Sequence, residues 1–431
     1  MRNCLIIIIS SLSLHLFGVV GFVVNSGSET LSRIDFETGE VNNTFCTLGS
    51  MPNRVGLTPE YAYVVNSGDN SIQKIDLTSG TTISNIYIEN SSNPYDIIIN
   101  EDYAYVTGGL INKVYQIDLT TDTVIAYANV GGNPAGMAIL NGKLYIGNSD
   151  YGTGYSNCSV SVVNLGSFSV EATIPVEVNP QFLSVINEKI HVSCGGDWIT
   201  TFGKICIIEP SSNSVTNILD MGGVTSNLSL MPNNRVYIGD GFGISLYAYN
   251  SETFEIIYDN SNPFTPGGTM VTSNDENLFV LGGEWGQNFS VKVFDVNENL
   301  TNEYIVGLYA TDIKLVNDEV SVNEQTIPHS SIQSYNISNY PNPFKPSGAG
   351  RGPGTTIKLD LAESGKIELE IYNIKGQKVK TLLDAYSSKE HFEIIWRGTD
   401  DSKKKVSSGN YFIKLKVNGE EKAVSKCILL K

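Results

Sequence analysis

The chain has 431 residues, too many for one small domain, and this length predicts two or three domains. Only 17% of the residues are charged, whereas 41 are Gly and 22 are Tyr, a composition typical of short strands joined by tight turns. The net charge of −17 argues against a protein that binds nucleic acid or an anionic membrane. Four His and six Cys are too few for a haem array, a zinc-finger set or a disulfide-dense scaffold.

The amino terminus has the pattern of a secretory signal. Arg2 precedes an apolar run from Leu5 to Val20, which is shorter than the ~20 residues that span a bilayer. Small residues follow at Val19 and Gly21. We therefore predict a cleaved signal peptide at residues 1–21, with an uncleaved anchor as the alternative. The mature chain is expected to be secreted or held at the cell surface, without an integral membrane span.

Cysteine usage agrees with a chain that does not depend on disulfides. Five cysteines remain after signal removal: Cys46, Cys158, Cys194, Cys206 and Cys427. An odd, scattered set predicts mostly free, buried thiols. Cys194 and Cys206 fall on neighbouring predicted strands, and pairing between these two stays open.

From residue 22 onward the chain repeats itself. Segments that open with an aromatic residue or His recur at spacings of 41, 42, 40, 46, 46 and 42 residues. Their first residues are Phe22, Tyr63, Tyr105, Tyr145, His191, Tyr237 and Phe279. A period of about 40–45 residues with short strands and turns inside each unit predicts propeller blades of four strands.

The first copies read FVVNSGSETLSRIDF, YVVNSGDNSIQKIDL and YVTGGLINKVYQIDL, and these units resemble the YVTN-type propellers of bacterial surface and periplasmic proteins. The resemblance implies an all-β, seven-bladed β-propeller over residues 22–322. Inner strands are predicted to begin near Met51, Asn93, Asn133, Asn179, Gly223, Gly267 and Leu308. We expect the strand at Phe22 to pair with Ala310–Val316, because closing the ring removes exposed sheet edges.

Polar residues recur where the third strand of each unit ends. They are Asp35, Asp76, Asp118, Asn164, Glu209, Asn250 and Asp295. Such side chains bond nearby backbone amides in turns, so we predict turn caps rather than a catalytic ring. His191 occupies a blade aromatic position and is predicted to be a packed strand residue.

After a predicted linker at residues 323–336, the pattern changes. Alternation at Ile367, Leu369 and Ile371, and again from Tyr411 to Val417, predicts half-buried strands. Six or seven strands over residues 337–431 suit an immunoglobulin-like β-sandwich. This segment is basic, with 17 Lys and Arg against 11 Asp and Glu, whereas the chain before it has 11 against 34.

Several motifs in this segment resemble the carboxyl-terminal sorting domain of type IX secretion substrates, a relative of the immunoglobulin-like domain of the flagellar hook-capping protein. The resemblance rests on Tyr340, Pro341, Asn342, Pro343, Phe344, Trp396, Gly398, Gly409 and Tyr411. The resemblance implies a sorting or attachment domain whose partner is the secretion machinery of the outer membrane. A plain stalk domain is the alternative.

Enzymatic signatures are largely missing. The sequence contains no Gly-x-Ser-x-Gly elbow, Walker-type loop, His-Glu-x-x-His string or Asp-x-Asp-x-Asp-Gly calcium pattern. We therefore predict no catalytic residue, no metal site and no cofactor.

One set of candidate binding residues emerges when the repeats are aligned. The loops after the second strands carry Tyr151, Trp198, Phe242 and Trp285, and inner strands of neighbouring blades carry Arg54, Asp96 and Asp312. Aromatic faces beside carboxylates and an Arg suit stacking on sugar rings or anchoring a peptide. Local packing of the aromatics, and a structural ion-pair belt of Arg54, Asp96 and Asp312, remain the plainer interpretations.

These observations favour a recognition or scaffold protein whose propeller face binds a glycan or surface protein and no nucleic acid. The alternative is a propeller hydrolase or lyase that acts on extracellular polysaccharide or a lactone, with Asp96 and Asp312 as its carboxylates. Against it, Arg54 between the two is expected to lower both pKa values, whereas a general acid needs a raised one.

Overall fold

A computed structural model describes residues 19–317 and, further along, 336–340, 344, 354–360, 365–373, 375, 377–387, 391–402, 404–418 and 420–430. Strands dominate these residues, and the one helix among them is a short 3₁₀ turn at Tyr151–Thr153. The predicted all-β class is therefore confirmed. The chain divides into two compact units, Met1–Pro328 and His329–Lys431. Residues 1–18 of the predicted signal and 323–335 of the predicted linker lie outside the described residues.

The first unit contains seven four-stranded antiparallel sheets within residues 19–317. The first sheet comprises β1 (Val19–Asn25), β2 (Thr30–Asp35), β3 (Val41–Thr47) and β28 (Ala310–Asn317). The second comprises β4 (Pro52–Leu57), β5 (Tyr61–Asn66), β6 (Ser71–Asp76) and β7 (Thr82–Tyr87). The third comprises β8 (Pro94–Asn100), β9 (Tyr103–Gly108), β10 (Lys113–Asp118) and β11 (Thr123–Asn129).

The remaining sheets of the unit repeat this order. The fourth comprises β12 (Pro134–Leu140), β13 (Lys143–Asn148), β14 (Ser159–Asn164) and β15 (Ser169–Pro175). The fifth comprises β16 (Pro180–Ile186), β17 (Lys189–Cys194), β18 (Lys204–Glu209) and β19 (Ser214–Asp220). The sixth comprises β20 (Thr225–Leu230), β21 (Arg235–Asp240), β22 (Leu246–Asn250) and β23 (Ile256–Tyr258). The seventh comprises β24 (Met270–Ser273), β25 (Asn277–Gly282), β26 (Asn288–Asp295) and β27 (Leu300–Leu308).

The inner strands are β28, β4, β8, β12, β16, β20 and β24, and each contacts the inner strand of the next sheet until β24 contacts β28. This cyclic arrangement of four-stranded sheets is that of a β-propeller. Buried side chains of neighbouring sheets pack face to face, as Tyr63 and Ile72 of the second sheet pack with Ile97 and Val106 of the third. Burying these apolar faces against one another is the main stabilising contribution to such a ring.

The first sheet joins the two ends of the unit. Phe22 of β1 pairs with Lys314 of β28, which confirms the predicted closing pair. The strand nevertheless begins at Val19, three residues before the predicted domain boundary at Phe22. Val19, Val20 and Gly21 pair with Asn317, Val316 and Leu315, and Val20 is buried. The closing strand thus begins within the predicted signal peptide, and the boundary after residue 21 stays a prediction.

Two local features recur from sheet to sheet. The carboxylates of Asp76 and Asp118 accept hydrogen bonds from the backbone amides two and three residues further on. The other five turn residues predicted from the sequence also accept hydrogen bonds from backbone amides. The predicted turn caps are confirmed. Before the inner strands, Asn93, Asn133 and Asn179 each adopt a positive φ and precede a Pro. Asn tolerates this conformation better than most residues, so the Asn-Pro pair sets where each of these inner strands begins.

The second unit contains a three-stranded and a four-stranded antiparallel sheet among its described residues. The first sheet comprises β29 (Asn336–Tyr340), β30 (Thr355–Asp360) and β33 (His391–Trp396). The second comprises β31 (Gly365–Asn373), β32 (Lys378–Ser387), β34 (Gly409–Val417) and β35 (Glu420–Leu429). Both sheets contribute to one hydrophobic core, with Ile357 and Leu359 of β30 on one side and side chains of β31 and β34 on the other.

The strands of this core confirm the alternation seen in the sequence. Ile367, Leu369 and Ile371 are buried, as are the alternating residues from Tyr411 to Val417. Across the part of the chain that the structure describes, no helix is long and apolar enough to cross a membrane.

Candidate functional site

One face of the first unit carries all loops that join second to third strands and fourth strands to the next inner strand. Backbone hydrogen bonds link these two kinds of loop in successive sheets: Ser67 donates to Met51 (3.1 Å), Ser149 to Asn133 (3.1 Å) and Gly195 to Asn179 (2.9 Å). We call this surface the loop face, and the surface formed by the other loops the opposite face.

The four aromatic residues predicted for binding all lie on the loop face and are exposed. Trp198 is 58% exposed, Phe242 67%, Tyr151 69% and Trp285 87%. Single exposed apolar side chains are common, whereas several grouped on one face are typical of an interaction surface. The loop face therefore has the composition of a contact surface.

The structure brings two of the four aromatics together. Trp198 and Phe242 line one cavity of about 310 Å³ between the fifth and sixth sheets. Phe202 and Ile244 add to its apolar wall, and Asp240 adds a carboxylate. A concave apolar site with a few polar groups is the usual form of a ligand pocket.

The other two aromatics stand apart from this cavity. The Trp285 ring packs against that of Tyr309, with centroids 4.4 Å apart. Tyr151 lies on the 3₁₀ turn, and its ring is 5.9 Å from that of Tyr155. Local packing thus accounts for part of their placement, whereas Trp198 and Phe242 face a shared space.

The loop that carries Trp198 is held by one carboxylate. Asp197 accepts the backbone amides of Ile199 (3.0 Å), Thr200 (2.8 Å) and Thr201 (2.7 Å). The hydroxyl of Thr200 and these amides hold the pKa of Asp197 well below its ordinary value. Gly196 has a φ of 72°, and a Cβ there would lie 2.3 Å from the carbonyl oxygen of Thr201. The loop is therefore preorganised, with glycine required at its bend.

Asp197→Ala is expected to loosen this loop without unfolding the unit. Three backbone amides lose their acceptor, so hydrogen exchange at residues 199–201 should accelerate on the order of tenfold or more. Asp197→Asn, which keeps an acceptor oxygen, is the matched control and should exchange more slowly than the Ala variant. Exchange measured by mass spectrometry checks this, and equal rates in all three proteins would contradict the assigned role.

Asp240 and Tyr247 are closely packed polar residues in the lining of the cavity. Asp240 is buried and accepts a hydrogen bond from the amide of Phe242 (3.1 Å), which fixes the loop that carries Phe242. Burial and the nearby Asp240 raise the pKa of Tyr247 above its ordinary value. Gly223, with a φ of 56°, leaves room for that phenol, because a Cβ there would lie 2.1 Å from its oxygen. The lining of the cavity therefore combines one carboxylate with apolar side chains.

The polar residues predicted with the aromatics lie on the inner strands. The Asp96 carboxylate accepts the amide of Met137 in the next sheet (3.0 Å), and that of Asp312 accepts the amide of Val55 (3.0 Å). Arg54 is buried and donates to the carbonyl oxygen of Thr311. These bonds join neighbouring inner strands.

Arg54 also faces two aromatic rings. Its guanidinium carbon is 5.4 Å from the centre of the Tyr95 ring and 5.0 Å from that of Phe182. Cation–π contacts of this kind are stronger where water is excluded. Together with its backbone acceptor, they give the buried cation a defined position.

Arg54 lowers the pKa of Asp96, as expected, but the pKa is nevertheless raised overall. Burial raises the pKa of Asp96 to about 6, and Asp312 adds to the rise, although Arg54 and Lys314 oppose it. Removing a carboxylate from water disfavours its charged form, and here that cost exceeds the attraction of the two cations. The alignment of the repeats predicted which charged residues are neighbours, but it could not show how far each one is buried.

His191, Cys194 and Cys206 pack as interior side chains of the first unit. His191 is buried, hydrogen-bonds to Tyr249, and has its pKa lowered to about 3 by burial. The sulfur atoms of Cys194 and Cys206 are 4.0 Å apart and are not bonded to each other. In the described parts of both units, no group of three or more His, Cys, Asp or Glu is placed to hold a metal ion.

Three aromatic motif residues of the second unit, Phe344, Trp396 and Tyr411, form part of its core. The Trp396 ring lies 5.5 Å from that of Phe344 and 5.0 Å from that of Tyr411. Gly398 has a φ of 70°, and Gly409 begins β34. Tyr340 ends β29, whereas Pro341, Asn342 and Pro343 lie outside the described residues. The buried aromatic members of the motif thus have a structural role.

Comparison with known proteins identifies a fold but no function. No protein-family model and no curated protein match the chain. A structure titled Kuenenia stuttgartiensis hydrazine synthase is 12% identical with a TM-score of 0.50, covering 63% of this chain and 96% of that one. A functionally unknown protein from Desulfotomaculum acetoxidans DSM 771 is 14% identical with a TM-score of 0.54, covering 69% and 98%. Both are propeller-type folds, so the chain has a β-propeller fold.

Proposed function

We propose that this chain is an exported recognition protein, built from a seven-bladed YVTN-type propeller that binds a glycan or protein ligand on its loop face. The single observation that carries the proposal is the cavity that Trp198 and Phe242 share. The seven four-stranded sheets and the pairing of β1 with β28 support the blade count. The preorganised loop at Asp197 supports binding, because a fixed loop loses little conformational entropy when a ligand arrives.

We further propose that the second unit is an immunoglobulin-like sorting or attachment domain read by the secretion machinery of the outer membrane. Its two sheets around one core and its cluster of Phe344, Trp396 and Tyr411 support this assignment. The buried rings would build the domain, and recognition would fall to its exposed residues. Together with the signal pattern at residues 1–21, this domain favours a protein that lies outside the cell or on its surface.

Loss of ligand capture by a cavity variant tests the binding proposal. Trp198→Ala combined with Phe242→Ala should remove the signals that the parent gives on a glycan array and in pull-downs from an envelope fraction. Trp285→Ala is the matched control, because it removes an exposed Trp of the same face outside the cavity. Unchanged profiles in the double variant, with its fold intact by circular dichroism, would exclude the cavity as the binding site.

A second candidate function, a hydrolase or lyase, is favoured by the raised pKa of Asp96. A carboxyl group with a pKa of about 6 is able to act as a general acid near neutral pH. Turnover in a panel of polysaccharide and lactone substrates that is lost in Asp96→Asn would establish this activity. Absence of turnover by the parent across the panel would leave recognition as the better account.

A further inference from the structure

The exposed apolar surface of the loop face includes aliphatic side chains as well as aromatic ones. Ile199 is 83% exposed and Ile244 69%, and both lie on the loops that carry Trp198 and Phe242. Leu110, Phe202 and Met51 are also exposed on this face. Aliphatic side chains offer neither a flat ring for a sugar nor a hydrogen bond, but they pack well against apolar side chains of a polypeptide.

The opposite face provides a comparison within the same unit. Among its loops in residues 19–317, the one exposed large apolar side chain is Val296. The loops of both faces contain Asp and Glu but no Lys or Arg, so the loops of both faces are acidic. Charge alone therefore does not distinguish the faces, and exposed apolar surface does.

The charge of the loop face defines the partner further. Its loops carry eight acidic residues: Glu29, Asp69, Glu89, Asp150, Glu177, Asp197, Asp259 and Glu284. Glu89 and Glu177 are paired with Lys113 and Lys204 at the starts of β10 and β18. The other six keep the face negative, and Asp240 is the one charged residue in the lining of the cavity. A negative surface attracts cationic partners and disfavours anionic ones.

We propose that the loop face binds a basic polypeptide segment, whose aromatic or large aliphatic side chain enters the cavity between Trp198 and Phe242. Ile199 and Ile244 pack beside this anchor, and lysine or arginine residues on either side of it face the acidic loops. This inference rests on the proposed function, because it names the ligand class for the same cavity. An apolar anchor in a pocket with a polar surround is the usual form of a binding hot spot.

Direct titration with defined probes tests the ligand class. The full-length chain is titrated against the fluorescein-labelled peptide Lys-Lys-Leu-Phe-Lys-Lys, and binding is followed by fluorescence anisotropy at protein concentrations up to about 1 mM. Three other probes serve as comparisons: Lys-Lys-Ser-Ser-Lys-Lys, Glu-Glu-Leu-Phe-Glu-Glu and cellohexaose, the last followed by calorimetry. We expect the first peptide to bind at least about tenfold more tightly than each of the others.

Single substitutions in the protein then test where the peptide binds. Trp198→Ala and Ile244→Ala should each weaken binding of Lys-Lys-Leu-Phe-Lys-Lys severalfold or more, whereas Val296→Ala on the opposite face should leave it within about twofold. Raising the salt concentration should weaken binding, because charge pairs at the rim are screened. Thermal unfolding of each variant controls for loss of fold.

The outcomes separate this inference from the proposed function. Binding of cellohexaose but not of the basic peptide, lost in Trp198→Ala, would overturn the peptide inference and leave the cavity as a binding site. Absence of binding by every probe would overturn the inference as well. The proposed function itself falls only if the double cavity variant retains the parent's captured ligands.

Discussion

Trp396→Ala is expected to destabilise the second unit by about 3–5 kcal/mol, enough to unfold it near physiological temperature. The indole is fully buried against Phe344 and Tyr411, and its Nε1 donates to the carbonyl oxygen of Thr399 at 3.0 Å. Truncation leaves a cavity in the core and removes the hydrogen bond to Thr399, and both cost free energy.

Arg397→Ala is the matched control, since Arg397 is the exposed neighbour of Trp396. Its effect on unfolding should be small, because surface substitutions usually change stability by less than about 0.5 kcal/mol. Calorimetry of the full-length chain should show the second unit's transition shifted or lost in Trp396→Ala, with the first unit's transition retained. A transition unchanged by Trp396→Ala would contradict the buried aromatic cluster.

Asp96→Asn is expected to remove a pH dependence of stability from the first unit. The folded pKa of Asp96 is about 6, above the ordinary value of 3.8, so the folded state holds the proton more tightly than the unfolded state. The parent should therefore lose stability as pH rises from about 4 through 6, by at most about 3 kcal/mol for this group. The Asn variant, which does not ionise, should lack that loss.

This prediction concerns how the free energy of unfolding changes with pH, and not its value at one pH. Arg54, Lys314 and Asp312 act on Asp96, and the substitution changes their surroundings at every pH. Urea unfolding at about pH 4, 6 and 7.5 should show the stability difference between variant and parent moving in favour of the variant as pH rises. A constant difference across this range would contradict the raised pKa.

Much of the first unit could be predicted from repetition alone. The recurrent aromatic starts and the turn residues such as Asp76 and Asp118 are local signals, because a turn cap needs only backbone amides two and three residues away. The pairing of Phe22 with β28 is not local, but it follows from the absence of a complete repeat after Ala310 and from the cost of open sheet edges.

The candidate site was predictable only in part. The alignment of loops found Trp198 and Phe242, but it could not show that they share a cavity whereas Trp285 packs against Tyr309. It also missed Ile199 and Ile244, because an aliphatic residue in a sequence is more often buried than exposed. An apolar residue inside a glycine-rich loop, as in GFGIS at residues 241–245, is the signal that would have found Ile244.

Photo-crosslinking on the cell surface examines whether the loop face is where this protein meets its partner. Two proteins are compared, one with Phe242 replaced by p-benzoyl-L-phenylalanine and one with Val296 replaced in the same way. Both positions are exposed, and they lie on the loop face and the opposite face respectively. Irradiation should give discrete adducts from position 242 and none from position 296. Adducts from position 296 alone, or equally from both, would show that the loop face is not the binding surface.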